Sequence, residues 1–266
     1  MNEHPIFDTH AHYHDARFSE DETLPPRAEL LSSLFSETIC GIVNVGTDVE
    51  TSREALALAK DYPRMYAAVG MYPGSCPSAD ETEIEDAIRA FRTLLDDPKT
   101  VAIGEIGFDF HYDDVPREIQ AVWFERQLQL AAETGYPVII HNREAHGATM
   151  DLLRKYPDVR GVLHSYSGSA EMAAELIRMG WYISFSGVVT FKNAARMAEV
   201  VKSVPVERML VETDCPYLTP VPFRGRANHS GYLPYTVQRI AELHGMTSDE
   251  IADITRKNAE KLFRLA

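Results

Sequence analysis

The sequence contains little cysteine, and no targeting segment is recognisable at its start. Its three cysteines, Cys40, Cys76 and Cys215, are odd in number, far apart and outside any Cys-x-x-Cys spacing. They are therefore predicted to be reduced thiols of an intracellular protein. The first five residues lead directly into an apolar stretch, with neither the basic nor the apolar region of a secretory signal. We expect a cytoplasmic protein.

Long hydrophobic runs are also missing, and positive charge is scarce. No stretch approaches the ~18 consecutive apolar residues of a membrane span, so no membrane partner is expected. The chain has 26 Lys and Arg against 40 Asp and Glu, which gives a net charge of −14. A field of this sign repels polyanions. Nucleic-acid binding would therefore need a local cationic patch or bound metal ions.

The hydrophobic pattern predicts alternating strands and helices. Short apolar, β-branched runs lie at 3–7, 39–45, 65–69, 101–103, 137–140, 160–163, 181–184 and 208–211. Segments with helical spacing lie between or after them, at 26–36, 49–60, 82–95, 116–134, 144–155, 169–179, 191–202 and 234–244. Strands separated by helices pair in parallel through right-handed crossovers.

Eight strand–helix units in 266 residues predict an α/β fold of the (β/α)8 TIM-barrel type. A hydrophobic content of 45% is enough for a sizeable core. No Pro/Gly/Ser-rich linker, repeat or low-complexity run divides the chain, so residues 1–266 are expected to form a single domain. An extra C-terminal helix is predicted over about 248–264.

The segment from Asp8 to His12 carries potential ligands at every second position. In a strand, residues i, i+2 and i+4 share one face, so Asp8, His10 and His12 would converge near the end of the first strand. A His-x-His pair alone is equally consistent with a metal site and with a solvated surface pair. The rest of the chain has to decide between them.

Polar residues follow five of the predicted strands. In a parallel barrel, catalytic groups lie on the loops at the carboxyl ends of the strands. The segments at these ends are Asp8 to His12, Gly104 to Asp109, His141 to Arg143, His164 to Gly168, and Glu212 to Asp214. A structural role would be favoured for one strand-end histidine taken alone. Four histidines and several carboxylates at one rim instead predict a metal site.

Six ligands are too many for one tetrahedral ion and suit two ions roughly 3.5–4 Å apart. Glu105 is the natural bridging carboxylate, and Asp214 is a candidate both for metal binding and for accepting the proton of the attacking water. The predicted chemistry is hydrolysis assisted by two divalent metal ions. Zn, Mg, Mn and Ni all remain possible, because histidine and carboxylate ligands serve several ions.

Five motifs in order resemble the TatD family of metal-dependent hydrolases, within the amidohydrolase superfamily. They are Phe-Asp-Thr-His-Ala-His, Gly-Glu-Ile-Gly-Phe-Asp, His-x-Arg-Glu-Ala, His-Ser-Tyr-Ser-Gly and Glu-Thr-Asp-Cys-Pro-Tyr-Leu. The similarity runs from residue 6 to the segment 258–263. It implies a (β/α)8 barrel and divalent-metal-dependent phosphodiester cleavage, described for the family as 3′–5′ exonuclease or DNase activity.

The resemblance also implies roles for individual residues. One metal would be held by four ligands, namely His10, His12, Glu105 and Asp214. The second metal would be held by Glu105, His141 and His164. Asp8 would not bind a metal itself but would orient one of these ligands.

Two positions depart from the family pattern. Tyr72 stands where a histidine usually follows strand 3; a phenol can donate to a phosphate oxygen but does not accept protons near pH 7 as imidazole does. In the segment 224–230, His229 stands where the family has an acidic residue, while Arg224 and Asn228 are retained. Both departures concern substrate contacts.

The predicted substrate-binding residues are Arg143, Glu212, Arg224, Asn228 and Tyr72. Arg143 and Arg224 could hold a phosphate through bidentate hydrogen bonds. Glu212 alternates with Asp214, which favours a substrate or arginine contact, with a structural ion pair as the alternative.

The main hypothesis is an enzyme that hydrolyses phosphodiester bonds at the ends of single-stranded DNA or RNA, without an obligate protein partner. An amidohydrolase acting on a small amide, ester or lactone is the enzymatic alternative. A catalytically idle scaffold is the alternative outside enzymes.

Overall fold

The computed structural model describes residues 5–265, and these contain eight β-strands and ten α-helices. The strands are β1 (Ile6–Ala11), β2 (Ile39–Val45), β3 (Met65–Val69), β4 (Thr100–Asp109), β5 (Val138–Arg143), β6 (Gly161–Leu163), β7 (Tyr182–Phe185) and β8 (Met209–Val211). The helices are α1 (Arg17–Glu20), α2 (Arg27–Glu37), α3 (Val49–Asp61), α4 (Glu81–Leu95), α5 (Arg117–Thr134), α6 (His146–Leu153), α7 (Ala170–Arg178), α8 (Ala195–Ser203), α9 (Leu233–His244) and α10 (Ser248–Phe263).

Two compact units make up the described chain. The terminal unit comprises residues 5–44 and 164–265, and the central unit comprises residues 45–163. The terminal unit contains β7, β8, β1 and all of β2 except its last residue, whereas the central unit contains β3 to β6.

In the terminal unit, parallel pairing joins β1 to β2 and β7 to β8. Ile6 lies opposite Ile39 in the first pair, and Ile183 lies opposite Met209 in the second. A parallel bridge between Ala11 and Cys215 joins the end of β1 to the loop after β8. The carboxyl ends of β1 and β8 are therefore neighbours.

In the central unit, β3, β4, β5 and β6 pair in parallel in chain order. Ala68 lies opposite Ala102, Gly107 opposite His141, and other pairs continue to β6. All ten residues of β4 are buried. Such near-continuous burial is typical of a parallel strand that is covered on both faces by other elements.

The alternation of strands and helices with parallel pairing in chain order is that of the (β/α)8 barrel class, so the predicted fold class is confirmed. The strand ends differ from the prediction. β1 extends to Ala11, and β4 extends to Asp109, so His10 and Glu105 lie within strands rather than beyond them. Backbone pairing continues past the apolar runs because these polar side chains are themselves buried. Positions 3–4 of the first predicted run lie outside the described residues, and a single domain stays a prediction.

The predicted C-terminal helix is confirmed as α10. Thr247 and Glu250 form a capping box at its start, which contributes about 1 kcal/mol to helix stability. The helix buries Ile251 and Phe263, and the Phe263 ring packs on Phe7 of β1 with centroids 6.5 Å apart. Burial of Phe263 stabilises the terminal unit by roughly 1.5–3 kcal/mol.

The loop from Cys215 to Ser230 is irregular, as its Pro and Gly content predicts, and ends in a short 3₁₀ turn at Ser230–Tyr232. Across residues 5–265, none of the helices combines the length and apolar character needed to cross a membrane.

Candidate metal centre

Three ligand side chains of the terminal unit converge at the carboxyl end of β1. The Nε2 atoms of His10 and His12 lie 3.1 Å apart. The Oδ1 atom of Asp214 lies 3.6 Å from the first of these nitrogens and 3.3 Å from the second. His10 is fully buried and His12 nearly so.

These spacings fit a divalent cation. Ligands held at ~2.0–2.1 Å in a tetrahedron are separated by about 3.3–3.4 Å, close to the three distances of this cluster. Two imidazole nitrogens at 3.1 Å repel each other when both present lone pairs, so a proton or a cation must lie between or beside them. Nitrogen and carboxylate donors also suit Zn, Mn and Ni.

Backbone hydrogen bonds hold Asp214 next to the two histidines. The Asp214 N–H donates to the His10 carbonyl at 2.9 Å, and the His12 N–H donates to the Cys215 carbonyl at 2.8 Å. Asp214 has a φ of 57°, in the left-handed region that costs a non-glycine residue free energy. Burial raises the pKa of this carboxyl, but the hydrogen bond with His12 and the positive charges of His10 and His164 outweigh burial and lower it.

Asp8 is fully buried, and its carboxylate is hydrogen-bonded to residues that follow β8. Its carboxylate accepts from the Thr213 hydroxyl at 2.7 Å, the Ser230 hydroxyl at 2.6 Å and the Thr213 N–H at 3.0 Å. Burial raises the pKa of Asp8 to about 6, although these hydrogen bonds oppose the shift. Because Thr213 precedes Asp214, these contacts favour the supporting role predicted for Asp8.

His164 and Glu212 form a second buried group in the terminal unit. The Oε1 atom of Glu212 lies 3.2 Å from Nδ1 of His164 and accepts from the Ser165 N–H at 2.7 Å. A proton on Nδ1 leaves the lone pair on Nε2 free for a metal. The His164 ring stacks on His10 with centroids 4.0 Å apart.

Glu212 is more deeply buried than a substrate-binding residue needs to be. Its Oε2 atom has no hydrogen-bond partner among residues 5–265. The donor atoms of His10, His164 and Glu212 all lie within 4.8 Å of one another, so this buried group is able to bind a metal ion. The substrate contact of Glu212 stays a prediction; its contacts favour orientation of His164.

The central unit supplies Glu105 from β4 and His141 from β5. The Oε1 atom of Glu105 lies 2.7 Å from Nδ1 of His141. On the other side of the ring, Nε2 lies 3.0 Å from Oδ2 of Asp109. Asp109 therefore accepts a hydrogen bond from Nε2–H, and Nδ1, next to Glu105, is the ring nitrogen that would bind a metal after losing its proton.

Tyr72 completes this hydrogen-bonded chain. Its hydroxyl donates to Oδ2 of Asp109 at 2.8 Å. Burial, and next the negative charge of Glu105, raise the pKa of the Tyr72 phenol, so it remains a donor. Burial also raises the pKa of Asp109, but the hydrogen bonds from His141 and Tyr72 lower it to about 2. The contact that the structure gives Tyr72 is with a carboxylate; its substrate contact stays a prediction.

From the sequence, Asp109 is expected either to line the pocket or to cap the loop after strand 4, and its contact with His141 is not predicted. The spacing in β4 does indicate the first of these roles. Residues two apart in a strand lie on the same face, so Glu105 and Asp109 share one face of β4. The hydrogen bonds to His141 and Tyr72 show what Asp109 does with that position.

Replacing Asp109 with alanine is expected to weaken metal binding about 10- to 100-fold, because a carboxylate that orients a ligand histidine typically contributes that much. Metal affinity can be measured by titrating the chelated protein. Asp96→Ala, which removes an exposed carboxylate after α4, is the matched control. Unchanged affinity in Asp109→Ala would show that His141 does not need this partner.

The two predicted arginines are exposed and form no ion pair among the described residues. The Arg143 guanidinium lies 5.0 Å from the centre of the Tyr112 ring. The Arg224 guanidinium lies 4.0 Å from the centre of the Phe191 ring and donates to the Thr219 carbonyl. Both charges are thus available to an anion, and their substrate contacts stay predictions.

Asn228 and His229 have structural contacts. The Asn228 amide nitrogen donates to the carbonyls of Thr213 and Tyr217, and its oxygen accepts from the His229 N–H. These bonds engage both ends of a buried amide, while its substrate contact stays a prediction. Burial lowers the pKa of His229 to about 4. A neutral imidazole at pH 7 therefore does not replace the charge of the acidic residue usual in the family.

Comparisons with known proteins agree with this geometry. A family model described as "TatD related DNase" matches residues 7–264. The chain is 43% identical to an uncharacterized metal-dependent hydrolase, YabD, of Bacillus subtilis, over 98% of this chain and 99% of that one. It is 32% identical to the 3′-5′ ssDNA/RNA exonuclease TatD of Salmonella typhimurium, over 98% and 99%. The crystal structure of YjjV, a TatD homologue of Escherichia coli, superposes with a TM-score of 0.86 at 30% identity, over 98% of both chains.

Proposed function

Because the chain belongs to the TatD-related DNase family and is a metal-dependent hydrolase acting on ester bonds, we propose that it cleaves phosphodiester bonds at the ends of single-stranded DNA or RNA. The observation that carries this proposal is the convergence of His10, His12 and Asp214 donor atoms within 3.6 Å. A relative with 32% identity named as a 3′-5′ ssDNA/RNA exonuclease supports the choice of substrate.

The proposed ligands for two divalent ions are those implied by the sequence. His10, His12 and Asp214 would hold one ion and His141 and His164 the other, with Glu105 shared by both. Bound divalent ions lower the pKa of water toward ~7 and neutralise charge that develops on a phosphoryl group. The identity of the metals stays open.

The protein groups then have separate tasks. Asp214 would accept a proton from the attacking water, because its carboxylate lies beside the two histidines at the proposed metal position. Arg143 and Arg224, both free of ion pairs among the described residues, hold phosphate oxygens. Glu212 and Asp109 keep the rings of His164 and His141 in the orientations that expose their metal-binding nitrogens.

The negative net charge of the protein favours cleavage at the ends of a nucleic acid over cleavage within it. Affinity for extended nucleic acid grows with the number of phosphates neutralised by Lys and Arg, and this chain carries a net charge of −14. Cleavage at an end requires only one or two phosphates near the metals. A cytoplasmic location and the lack of an obligate protein partner stay predictions.

The test is hydrolysis of a single-stranded oligonucleotide before and after chelation. We expect stepwise shortening from the 3′ end, loss of activity in chelated protein, and recovery with Mn, Mg, Zn or Ni. A 5′ label distinguishes stepwise shortening from internal cuts. Full activity after thorough chelation would refute the metal mechanism. Turnover only in a parallel panel of small amides, esters and lactones would favour the amidohydrolase alternative, and bound metal without any turnover would favour the scaffold.

A further inference from the structure

A small cavity in the central unit lies beside the Tyr72–Asp109–His141 chain. Its volume is about 200 Å³. The lining residues are Tyr72, Gly74, Asp109, Tyr112, Asp114, Val115 and Gln120. Pockets that enclose drug-sized ligands measure ~300–1,000 Å³, so this cavity has room for one ring system rather than several.

The chemistry of the walls excludes phosphate from the cavity. Asp109 and Asp114 contribute carboxylates, whose oxygens accept hydrogen bonds and repel an anion. The polar atoms of Gln120 are engaged with the backbone, because its oxygen accepts from the Asp109 N–H and its nitrogen donates to the carbonyls of Asp109 and Val115. What remains is two aromatic rings and carboxylate acceptors, which suit a flat, uncharged ring that carries N–H donors.

Tyr112 provides an aromatic surface at this cavity. Its side chain is 52% exposed, compared with 48% for Tyr217 and 36% for Tyr235. The Arg143 guanidinium, 5.0 Å from the ring centre, places a cation next to the cavity. A group with an anionic part and a flat ring could therefore put its anion at Arg143 and its ring against Tyr112.

We infer that this cavity, which we call the Tyr112 pocket, binds the base of the terminal nucleotide while Arg143 holds a phosphate. The inference rests on the proposed nuclease function and adds a specificity site to it. Stacking of a base on an aromatic side chain is tolerant of sequence, so Tyr112 contributes affinity for any base. Asp114 adds selectivity, because its carboxylate accepts from an exocyclic amino group and repels a carbonyl at the same position.

Cytosine and uracil provide the sharpest comparison, because they are the same size and differ at C4, where cytosine has an amino group and uracil a carbonyl, and at N3, where cytosine accepts and uracil donates. We expect kcat/KM to be several-fold higher for an oligonucleotide that ends in cytosine than for one that ends in uracil. Asp114→Ala should remove this preference by lowering kcat/KM for the cytosine substrate to the value for the uracil substrate.

A cycle of enzyme and substrate variants tests the stacking role. The substrates end either in cytosine or in an abasic nucleotide, and the proteins are the wild type, Tyr112→Ala and the control Tyr235→Ala, which removes another exposed tyrosine. Loss of the base or of the Tyr112 ring should each lower kcat/KM about 10-fold, as expected for one lost stack. Loss of both should cost no more than loss of one. Metal content is measured in every variant and should not change.

Equilibrium binding separates this inference from the proposed function. Cytidine 5′-monophosphate should bind the wild type and Tyr235→Ala alike, and Tyr112→Ala about 10-fold more weakly. If no oligonucleotide is cleaved but this binding pattern is observed, the proposed nuclease function is wrong and the inference that the Tyr112 pocket binds a base is still supported. Cleavage that is indifferent to the base, or strictly additive losses in the cycle, would overturn the pocket alone.

Discussion

Replacing Glu105 with alanine is expected to remove bound metal and hydrolysis together. Glu105 is 4% exposed, and its carboxylate lies 2.7 Å from Nδ1 of His141, on the opposite side of the ring from Asp109. As the proposed shared ligand of two ions, it has no substitute in the site. Metal stabilises a phosphoryl transition state by several kcal/mol, so kcat should fall roughly 10³- to 10⁴-fold.

The measurement is metal content by elemental analysis, together with turnover of the oligonucleotide. Glu118→Ala, in the exposed first turn of α5, is the control and should keep both at the wild-type level. Glu105→Gln keeps the size of the side chain and removes its charge, so it shows whether charge or packing matters. If Glu105→Ala retains a full complement of metal, the shared-ligand role is wrong.

Replacing Gly107 with alanine is expected to destabilise the protein by about 3 kcal/mol or more. Gly107 lies opposite His141 across the β4–β5 pair and has a φ of 143°, which side chains rarely allow. A Cβ at this position would lie 2.0 Å from the His141 carbonyl oxygen, and backbone cannot move aside cheaply. Strain and steric overlap of this kind account for the largest effects of single substitutions.

The free energy of unfolding from denaturant titration measures this effect, and metal affinity should also fall because the strand that carries His141 must shift. Gly147→Ala is the matched control, since it adds the same methyl group to α6 where nothing lies within 4 Å. It should be neutral or stabilise by up to about 1 kcal/mol. Equal stabilities of the two variants would show that β4 and β5 can separate without cost.

Much of the fold could be predicted from local patterns. The runs at 39–45 and 65–69 coincide with β2 and β3, because β-branched residues bounded by turns specify strands within a few residues. The ends of β1 and β4 were missed because apolar character stops before the strand does. Asp8, His10 and Glu105 continue these strands as buried polar residues, which no hydrophobic pattern reveals.

The candidate metal ligands follow from the sequence pattern and stay predictions, whereas their hydrogen-bond partners depend on the tertiary structure. The position of His141 and His164 after strands predicts them as ligands, whereas no local pattern predicts that Asp109 and Glu212 contact their rings. The substrate contact of Asn228 stays a prediction, and the hydrogen bonds of its amide to two backbone carbonyls could not be predicted. In each instance the partner depends on how distant segments are aligned.

The sequence by itself determined the α/β alternation, the family and the chemical types of the ligands, because these depend on residue identity and spacing along one strand or helix. Only the tertiary structure decided which nitrogen of His141 is left for a metal and which side chains form the Tyr112 pocket. Register is the physical reason: the β4–β5 pairing shifts between Ile103 and Ile106 and then sets Gly107 opposite His141. Hydrogen bonds act over about 3 Å, so a shift of one residue would exchange every partner in the site.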